Sequence, residues 1–249
     1  ADKDETICNG ETFNIQPTDD SPTEIVPVGT TYSWSAPVSN PVGAITGGSE
    51  GASQASISQT LTNTTDSPAT LTYNVQPEFN ECKGDSFEVV ITVNPVFGVD
   101  AVVDQVLCNG ESTDTIEFTT TNTDGSTVFT WTNDNTNTGL AASGTGDIAS
   151  FAVTAGTVSE TSTVVVTPTY TNNGINCDGP SETFTITVNP TAQVNSISSQ
   201  ILCEGEFTDA IEFTTTNTDG TTVFNWTNDN TNIGLAASGT GDIASFAVP

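Results

Sequence analysis

The sequence predicts an all-β protein built from tandem antiparallel β-sandwich domains in an extended array. Three observations lead to this prediction: a long internal repeat, apolar residues that alternate with Thr and Ser, and no stretch with the apolar spacing of an amphipathic helix. Alternation of this kind is typical of antiparallel sheets with one face in water. The 249 residues suffice for two or three domains of about 100 residues each.

The internal repeat sets the predicted domain boundaries. Residues 105–153 return as residues 200–248 without a gap, so that Cys108 returns as Cys203 and Trp131 as Trp226, an offset of 95 residues. A period of this length is that of whole domains. We predict a first repeat over 1–95, a second over 96–190, and a partial third over 191–249 that lacks its last strands.

Each repeat contains several predicted strands with one apolar face. An early strand carries a cysteine, a central strand carries the Trp, and the last strand ends at Asn-Pro, while 43–58 is small and polar and is predicted to contribute little to a core. Asn173-Gly174 predicts a hairpin turn. The predicted inward residues are Tyr32, Trp34, Leu71, Tyr73, Val75, Phe87, Val89, Ile91 and Val93 in the first repeat, and Ile116, Phe118, Phe129, Trp131, Phe184, Ile186 and Val188 in the second.

About seven short strands per repeat, one Trp within a strand and a pair of cysteines together predict immunoglobulin-like sandwiches. The partial third repeat would expose unpaired strand edges. We expect either that the chain is a segment of a longer one or that another chain supplies the missing strands, as in donor-strand complementation.

Five cysteines fit the repeat as one early and one late cysteine per domain. This regularity predicts disulfides within domains, Cys8–Cys82 and Cys108–Cys177, with the partner of Cys203 beyond the end of the sequence; the alternative is that the cysteines are buried free thiols. Disulfides indicate an oxidising, extracellular setting. Zinc is poorly supported because the chain has no His and no Cys-x-x-Cys.

The charge of the chain excludes several classes of function. Two Lys residues oppose 31 acidic residues, giving a net charge of −29 with no Arg and no His. Nucleic acid is excluded as a partner because phosphates need cationic side chains, and an anionic membrane surface would repel the chain. No run approaches the length of about 18 apolar residues that membrane insertion requires. The acidic surface is interpreted either as solubilising or as a divalent-cation binder.

We expect no enzymatic activity and no obligatory cofactor. Without His a Ser-His-Asp triad is impossible, and no phosphate-binding loop is present. Glu111, Asp114 and Glu117 lie close in sequence, but Glu117 alternates with inward residues and should face solvent. The three Trp residues are interpreted as core residues and not as sugar-stacking platforms.

Calcium is the metal that the loops favour. Oxygen-bearing side chains suited to Ca²⁺ recur in the turns of the second repeat, although none forms an EF-hand loop. Because Asn, Asp and Gly are also common turn residues, a purely structural role stays open. The candidates are Asn122, Asp124, Asn133, Asp134, Asn135 and Asp147.

At these residues the chain resembles a known family. An early CNGE or CEGE, an aromatic-x-Trp strand, a late Cys after an Asn-Gly hairpin and a closing FTITVNP are similar to the PKD-like repeats of Bacteroidetes surface adhesins, including SprB-type gliding adhesins. The resemblance implies export by the type IX system and a cell-surface filament used in adhesion or gliding. Asp114-Thr115-Ile116 also looks like the O-glycan acceptor of Bacteroidetes, with Thr115 as the modified residue.

The favoured hypothesis is therefore an extracellular stalk or spacer in a long surface adhesin or filament. Its partners would be neighbouring repeats of the same chain, surface polysaccharide or outer-membrane anchoring proteins. An alternative is a carbohydrate- or calcium-binding module of a secreted multidomain protein. A weaker alternative is a subunit of a strand-exchanged polymer.

Overall fold

The computed structural model describes residues 1–249 and consists of β-strands with two single-turn 3-10 helices, Thr136–Thr138 and Thr231–Ile233. The strands are β1 Lys3–Cys8, β2 Thr12–Ile15, β3 Thr31–Trp34, β4 Val38–Asn40, β5 Ile45–Thr46, β6 Gly51–Gln54, β7 Ile57–Thr60, β8 Thr62–Asn63, β9 Ala69–Phe79, β10 Cys82–Lys83, β11 Phe87–Asn94, β12 Gln105–Cys108, β13 Ser126–Asn133, β14 Ser143–Thr145, β15 Glu160–Asn172, β16 Ile175–Asp178, β17 Glu182–Asn189, β18 Asn225–Thr227 and β19 Ser238–Thr240. The predicted all-β, immunoglobulin-like fold class is confirmed.

The first sandwich is formed by a large sheet in the order β1-β11-β9-β3-β6, with β10 and β4 also paired to β9, and by two short ladders, β2-β7 and β5-β8. Its core contains 15 buried residues between Ile7 and Val93. Phe13 and Ile57 from the short ladder and Tyr73 from the large sheet are fully buried. Alternation along β9 and β11 produces this core, because every second side chain points to the same face of a sheet.

The second sandwich repeats this plan with a sheet in the order β12-β17-β15-β13-β14, with β16 paired to β15. Isolated bridges, Ser112 with Ala152 and Ile116 with Ile148, take the place of the β2-β7 ladder. The core has 12 buried residues between Val99 and Val188, none of them shared with the first core. The predicted inward set is confirmed in both sandwiches, with Phe87 and Phe129 only partly buried at the edge of each core.

Each large sheet contains one parallel pair that an antiparallel prediction misses. β1 runs parallel to β11, with Lys3 opposite Val89, and β12 runs parallel to β17, with Gln105 opposite Ile186. Parallel neighbours need a long crossover connection. Here the whole remaining domain is the connection, because the first strand pairs with the last.

The small, polar segment 43–58 contributes more to the core than predicted. Ala44, Ile45 and Ile57 are all buried in the first core. The segment forms short strands of two to four residues. Strands of this length are too short for an alternating pattern to be recognised in the sequence.

The last part of the chain has fewer strands. β18 pairs with β19, and two bridges join Phe207 to Ala247 and Ile211 to Ile243. An open apolar cleft of about 350 Å³ lies between Leu202, Ile211, Leu235 and Phe246. In the second sandwich the equivalent residues, Leu107, Ile116, Leu140 and Phe151, lie in or against the core to which β15 and β17 contribute.

Candidate functional site

The joint between the two sandwiches is the most distinctive site of the molecule, because a disulfide crosses it. Cys8, the last residue of β1, is bonded to Cys177 on β16, with 5.5 Å between the Cα atoms and a sequence separation of 169. β16 returns from β15 through the predicted hairpin turn, in which Asn173 and Gly174 both have positive φ. This hairpin carries Cys177 to the end of the first sandwich.

The predicted pairs Cys8–Cys82 and Cys108–Cys177 are therefore wrong. Cys8 lies opposite Asn94 at the end of β11, whereas Cys82 pairs with Phe79 near the start of β11. Eight residues of strand separate these two ends, a distance of roughly 25 Å at about 3.3 Å per residue. That distance is far beyond the Cα separation of about 7 Å that a disulfide tolerates.

The same separation applies in the second sandwich, where Cys108 lies opposite Asn189 at the end of β17 and Cys177 lies near its start. The early cysteine of a sandwich lies at the end that faces the next sandwich, and the late cysteine of that next sandwich faces it. The early cysteine can therefore bond to the late cysteine of the next sandwich but not to that of its own. Cys82, Cys108 and Cys203 are free thiols, and all three are exposed.

Polar contacts surround the disulfide. The backbone N–H of Cys8 donates to Glu11 Oε2 at 2.8 Å. Asn94 is fully buried; its Nδ2 donates to the Cys177 sulfur at 3.8 Å and its Oδ1 accepts from Asn172 Nδ2 at 2.8 Å. The buried amide of Asn94 is thus satisfied by residues of the neighbouring sandwich.

A second contact lies on the other side of the joint. The N–H of Thr123 donates to the carbonyl of Asp66 at 3.2 Å, and the hydroxyls of Ser67 and Thr123 are hydrogen-bonded. Together with the disulfide, these bonds restrict rotation of one sandwich against the other.

The six calcium candidates are distributed over three places. Asn122 and Asp124 precede β13, and Asn133, Asp134 and Asn135 lie at its other end, about 25 Å away for a strand of eight residues. Asp147 lies beside Phe118, whose N–H donates to Asp147 Oδ1 at 2.9 Å. The six residues cannot therefore bind one ion together.

Several of these side chains hold loops in place. Asn133 Nδ2 donates to the carbonyl of Leu140 at 3.1 Å, and Asn133 Oδ1 accepts from the N–H of Asn135 at 3.1 Å. Asp134 Oδ1 accepts from the N–H of Thr163 at 2.7 Å.

No group of three or more His, Cys, Asp or Glu side chains is arranged to hold a metal ion. Asn122 Oδ1 is buried without a hydrogen-bond partner, as is Asn217 Oδ1 at the equivalent position of the next repeat.

Thr115 lies on the surface, as a modification site requires. It is exposed, while Thr113 and Ile116 on either side are buried. The N–H of Asp114 donates to Gln105 Oε1 at 2.9 Å, which anchors the segment to β12. Glycosylation at Thr115 stays a prediction.

Each Trp packs over a glycine that sequence reasoning did not connect with it. Trp34 and Trp131 are buried, and the three indole N–H groups donate to backbone carbonyls, at 2.8 Å in the first repeat and 3.1 Å in the other two. A Cβ on Gly51, Gly144 or Gly239 would overlap the six-membered ring of Trp34, Trp131 or Trp226. The separation of Trp and Gly by 13 residues in the second and third repeats is the signal that connects them.

The two lysines leave little scope for ion pairing. Lys3 Nζ lies 2.7 Å from Glu24 Oε2, and the N-terminal amine lies 3.7 Å from Glu24 Oε1. The hydrogen bond from Lys3 lowers the pKa of Glu24 below its usual value, although partial burial acts in the opposite direction. Burial raises the pKa of Tyr170, and the nearby charge of Asp124 adds to that rise.

Comparison with known proteins supports a PKD-like domain in the first part of the chain, where residues 5–96 match the model of the PKD-like domain family. The search of curated proteins returned no match. No helix of the structure has the length and apolar character needed to cross a bilayer.

Among solved structures, the chain is similar to mouse cadherin-23 EC22-24, with 13% identity, a TM-score of 0.34, and coverage of 75% of this chain and 63% of that fragment. It is also similar to mouse clustered PcdhgC3 EC1-3, with 10% identity, a TM-score of 0.27, and coverage of 77% and 66%. The human desmocollin-1 ectodomain has 11% identity and a TM-score of 0.28, with coverage of 98% of this chain and 51% of the ectodomain.

Proposed function

We propose that this chain is a structural repeat segment of a long extracellular surface adhesin or filament, in which it acts as a stalk or spacer. The Cys8–Cys177 disulfide is the observation that carries the proposal, because it joins two successive sandwiches covalently. Such a bond suits an oxidising compartment outside the cell. We also propose that the chain is divided into repeats 1–95, 96–190 and 191–249, and that these repeats form an extended array.

Mutual repulsion supports the extended arrangement. The net charge of −29 is spread over the whole chain, and the cations, Lys3 and Lys83, both lie in the first repeat. Like-charged neighbours repel one another within a Debye length of about 8 Å at physiological salt. Repulsion opposes folding back, while the disulfide and the Thr123 contact hold adjacent repeats end to end.

The resemblance to the PKD-like repeats of Bacteroidetes adhesins extends the proposal to adhesion or gliding after export by the type IX system. Its partners are neighbouring repeats of the same chain and, at the cell, surface polysaccharide or outer-membrane anchoring proteins. The match of residues 5–96 to the PKD-like domain family supports this assignment.

The mechanical role can be tested by pulling single molecules from their two termini. The disulfide encloses 169 residues, which the force bypasses while the bond is intact. Reduction should release about 560–610 Å of additional contour length, at about 3.3–3.6 Å per residue. Cys8→Ser should release the same length without reductant, whereas Cys108→Ser should leave the oxidised trace unchanged. A wild-type chain that extends fully without reductant would contradict the stalk proposal.

A calcium-binding module of a secreted protein is a second candidate, favoured by the unpartnered Oδ1 atoms of Asn122 and Asn217. Binding should produce heat in a calorimetric titration with CaCl2 and should raise the melting temperature above that in NaCl of equal ionic strength. Asn122→Ala should weaken the effect, and Asn74→Ala serves as the control, because Asn74 is exposed on β9 and is not a calcium candidate. Melting that is unaffected by EDTA would eliminate this candidate.

A further inference from the structure

Cys8, one half of the disulfide between the two sandwiches, has counterparts with the same local geometry in the other repeats, Cys108 and Cys203. In each, the cysteine N–H donates to the carboxylate of the Glu three residues later, and a Gly with positive φ lies between them. The three bonds are Cys8 to Glu11 at 2.8 Å, Cys108 to Glu111 at 2.7 Å and Cys203 to Glu206 at 2.6 Å. Cys108 therefore has the same local backbone geometry as Cys8, which forms one half of the disulfide between the two sandwiches.

The partner half also recurs. Cys82 on β10 and Cys177 on β16 each lie on the short strand that pairs with the end of the longest strand of the domain, β9 or β15. Cys177 is 2% exposed in its disulfide, whereas Cys82 is exposed. Each repeat thus has an early cysteine at one end and a late cysteine at the other.

The contact between repeats is repeated as well. Thr218, the counterpart of Thr123, donates its N–H to the carbonyl of Thr157 at 3.1 Å, as Thr123 does to Asp66 at 3.2 Å. Asp66 and Thr157 occupy the same place, three residues before β9 and β15. The N–H of Ser159 also donates to Asp219 Oδ2 at 3.0 Å. The third repeat therefore docks on the second in the way the second docks on the first.

We propose that Cys108 is the site of a second inter-repeat disulfide, whose partner is the late cysteine of a third repeat completed by strands equivalent to β15–β17. The inference rests on the repeat array proposed above. The cysteines then form a series in which every bond joins the early cysteine of one repeat to the late cysteine of the next. In this series Cys82 bonds to the early cysteine of a repeat on its N-terminal side.

The chemistry of each bond is an ordinary thiol oxidation. Two thiols lose two protons and two electrons, and a sulfur–sulfur bond forms. The electrons pass to an oxidised low-molecular-weight disulfide such as oxidised glutathione, which is reduced to two thiols. Asn189, the counterpart of the buried Asn94, is exposed beside Cys108. A docked late cysteine should bury it.

The test uses the full chain and an extended chain in which a copy of residues 154–190 follows Val248, so that the third repeat receives a late cysteine. The copy carries Ile175→Val, so that the peptide of the added cysteine differs in mass from the peptide of Cys177. Both are refolded in a glutathione redox buffer, alkylated and mapped by mass spectrometry without reduction. In the full chain we expect the Cys8–Cys177 link and alkylated Cys82, Cys108 and Cys203. In the extended chain Cys108 should lose its alkylation and appear in a peptide linked to the added cysteine.

Cys108→Ser in the extended chain is the matched control, and it should leave the added cysteine alkylated and the Cys8–Cys177 link intact. A link between Cys203 and the added cysteine, or alkylated Cys108 in a folded extended chain, would overturn the inference. If the extension fails to fold, a chain of residues 1–190 followed by a copy of 96–190 that carries Val106→Ile and Ile175→Val makes the same measurement, because both cysteine peptides of the copy then differ in mass from the originals. A result that overturns this inference leaves the proposed function untouched, because the pulling experiment that tests that function depends on the Cys8–Cys177 bond alone.

Discussion

Replacing Gly144 by Ala should destabilise the second sandwich strongly. Gly144 on β14 lies opposite Trp131 on β13, and its backbone passes so close to the indole that a Cβ would overlap the ring. Displacing the ring also breaks the hydrogen bond from Trp131 Nε1 to the carbonyl of Gly146, now 3.1 Å long.

The magnitude follows from these two effects. Overpacking a core typically destabilises a protein by about 1–3 kcal/mol, and a lost hydrogen bond adds about 1 kcal/mol. We therefore expect a loss of about 2–4 kcal/mol, equivalent to a fall in melting temperature of about 10 °C or more for a domain of this size.

Urea unfolding of the oxidised chain, followed by Trp fluorescence and near-ultraviolet circular dichroism, measures this loss. Gly156→Ala is the matched control, because no atom lies within 4 Å of the position that an added Cβ would occupy and the φ of Gly156 is not positive. It should be neutral or stabilising by up to about 1 kcal/mol, through the entropy of the unfolded chain. A Gly144→Ala protein within about 0.5 kcal/mol of wild type would refute the packing argument.

Three further predictions concern charge and modification. Because Lys3 lowers the pKa of Glu24, this pair stabilises the fold above the usual carboxyl pKa of 4.5, and the contribution disappears as the pH falls through the lowered value. Lys3→Met should lower the free energy of unfolding by about 0.5 kcal/mol at pH 7 and should have no effect once Glu24 is protonated. Urea unfolding at several pH values measures this difference. With a net charge of −29, the melting temperature should rise between about 10 and 150 mM NaCl as repulsion is screened, and a calorimetric scan showing no rise would contradict the repulsion argument. If Thr115 is glycosylated, the intact mass of protein from its native source should exceed that of the polypeptide and return to it in Thr115→Ala; a bare polypeptide mass in the native protein counts against the site.

Local patterns predicted much of the fold. Leu71, Tyr73 and Val75 are apolar at every second position, and burying one face of a strand requires only that local regularity. Asn173 and Gly174 predicted the hairpin because both adopt positive φ more readily than other residues. These features depend on neighbours in sequence and so can be recognised there.

The features that the sequence did not predict depend on placement in space. The sequence is compatible both with a bond from Cys177 to Cys108 in its own repeat and with a bond to Cys8. Only the folded structure decides between them, because it places Cys108 and Cys177 at opposite ends of their sandwich. Ile45 and Ile57 lie in strands too short for alternation. The candidate calcium residues Asn122 and Asn133 are close in sequence but lie at opposite ends of β13, because an extended strand separates them.

The Cys8–Cys177 bond also changes what a protease can do to this protein. A cut in the connection between β11 and β12, for example near the exposed Val103, divides the polypeptide but leaves both pieces attached through the sulfur bridge. A nick anywhere between residues 8 and 177 therefore does not separate the two ends of the chain. For a protein exposed to secreted proteases, continuity would depend on sulfur as well as on the peptide backbone.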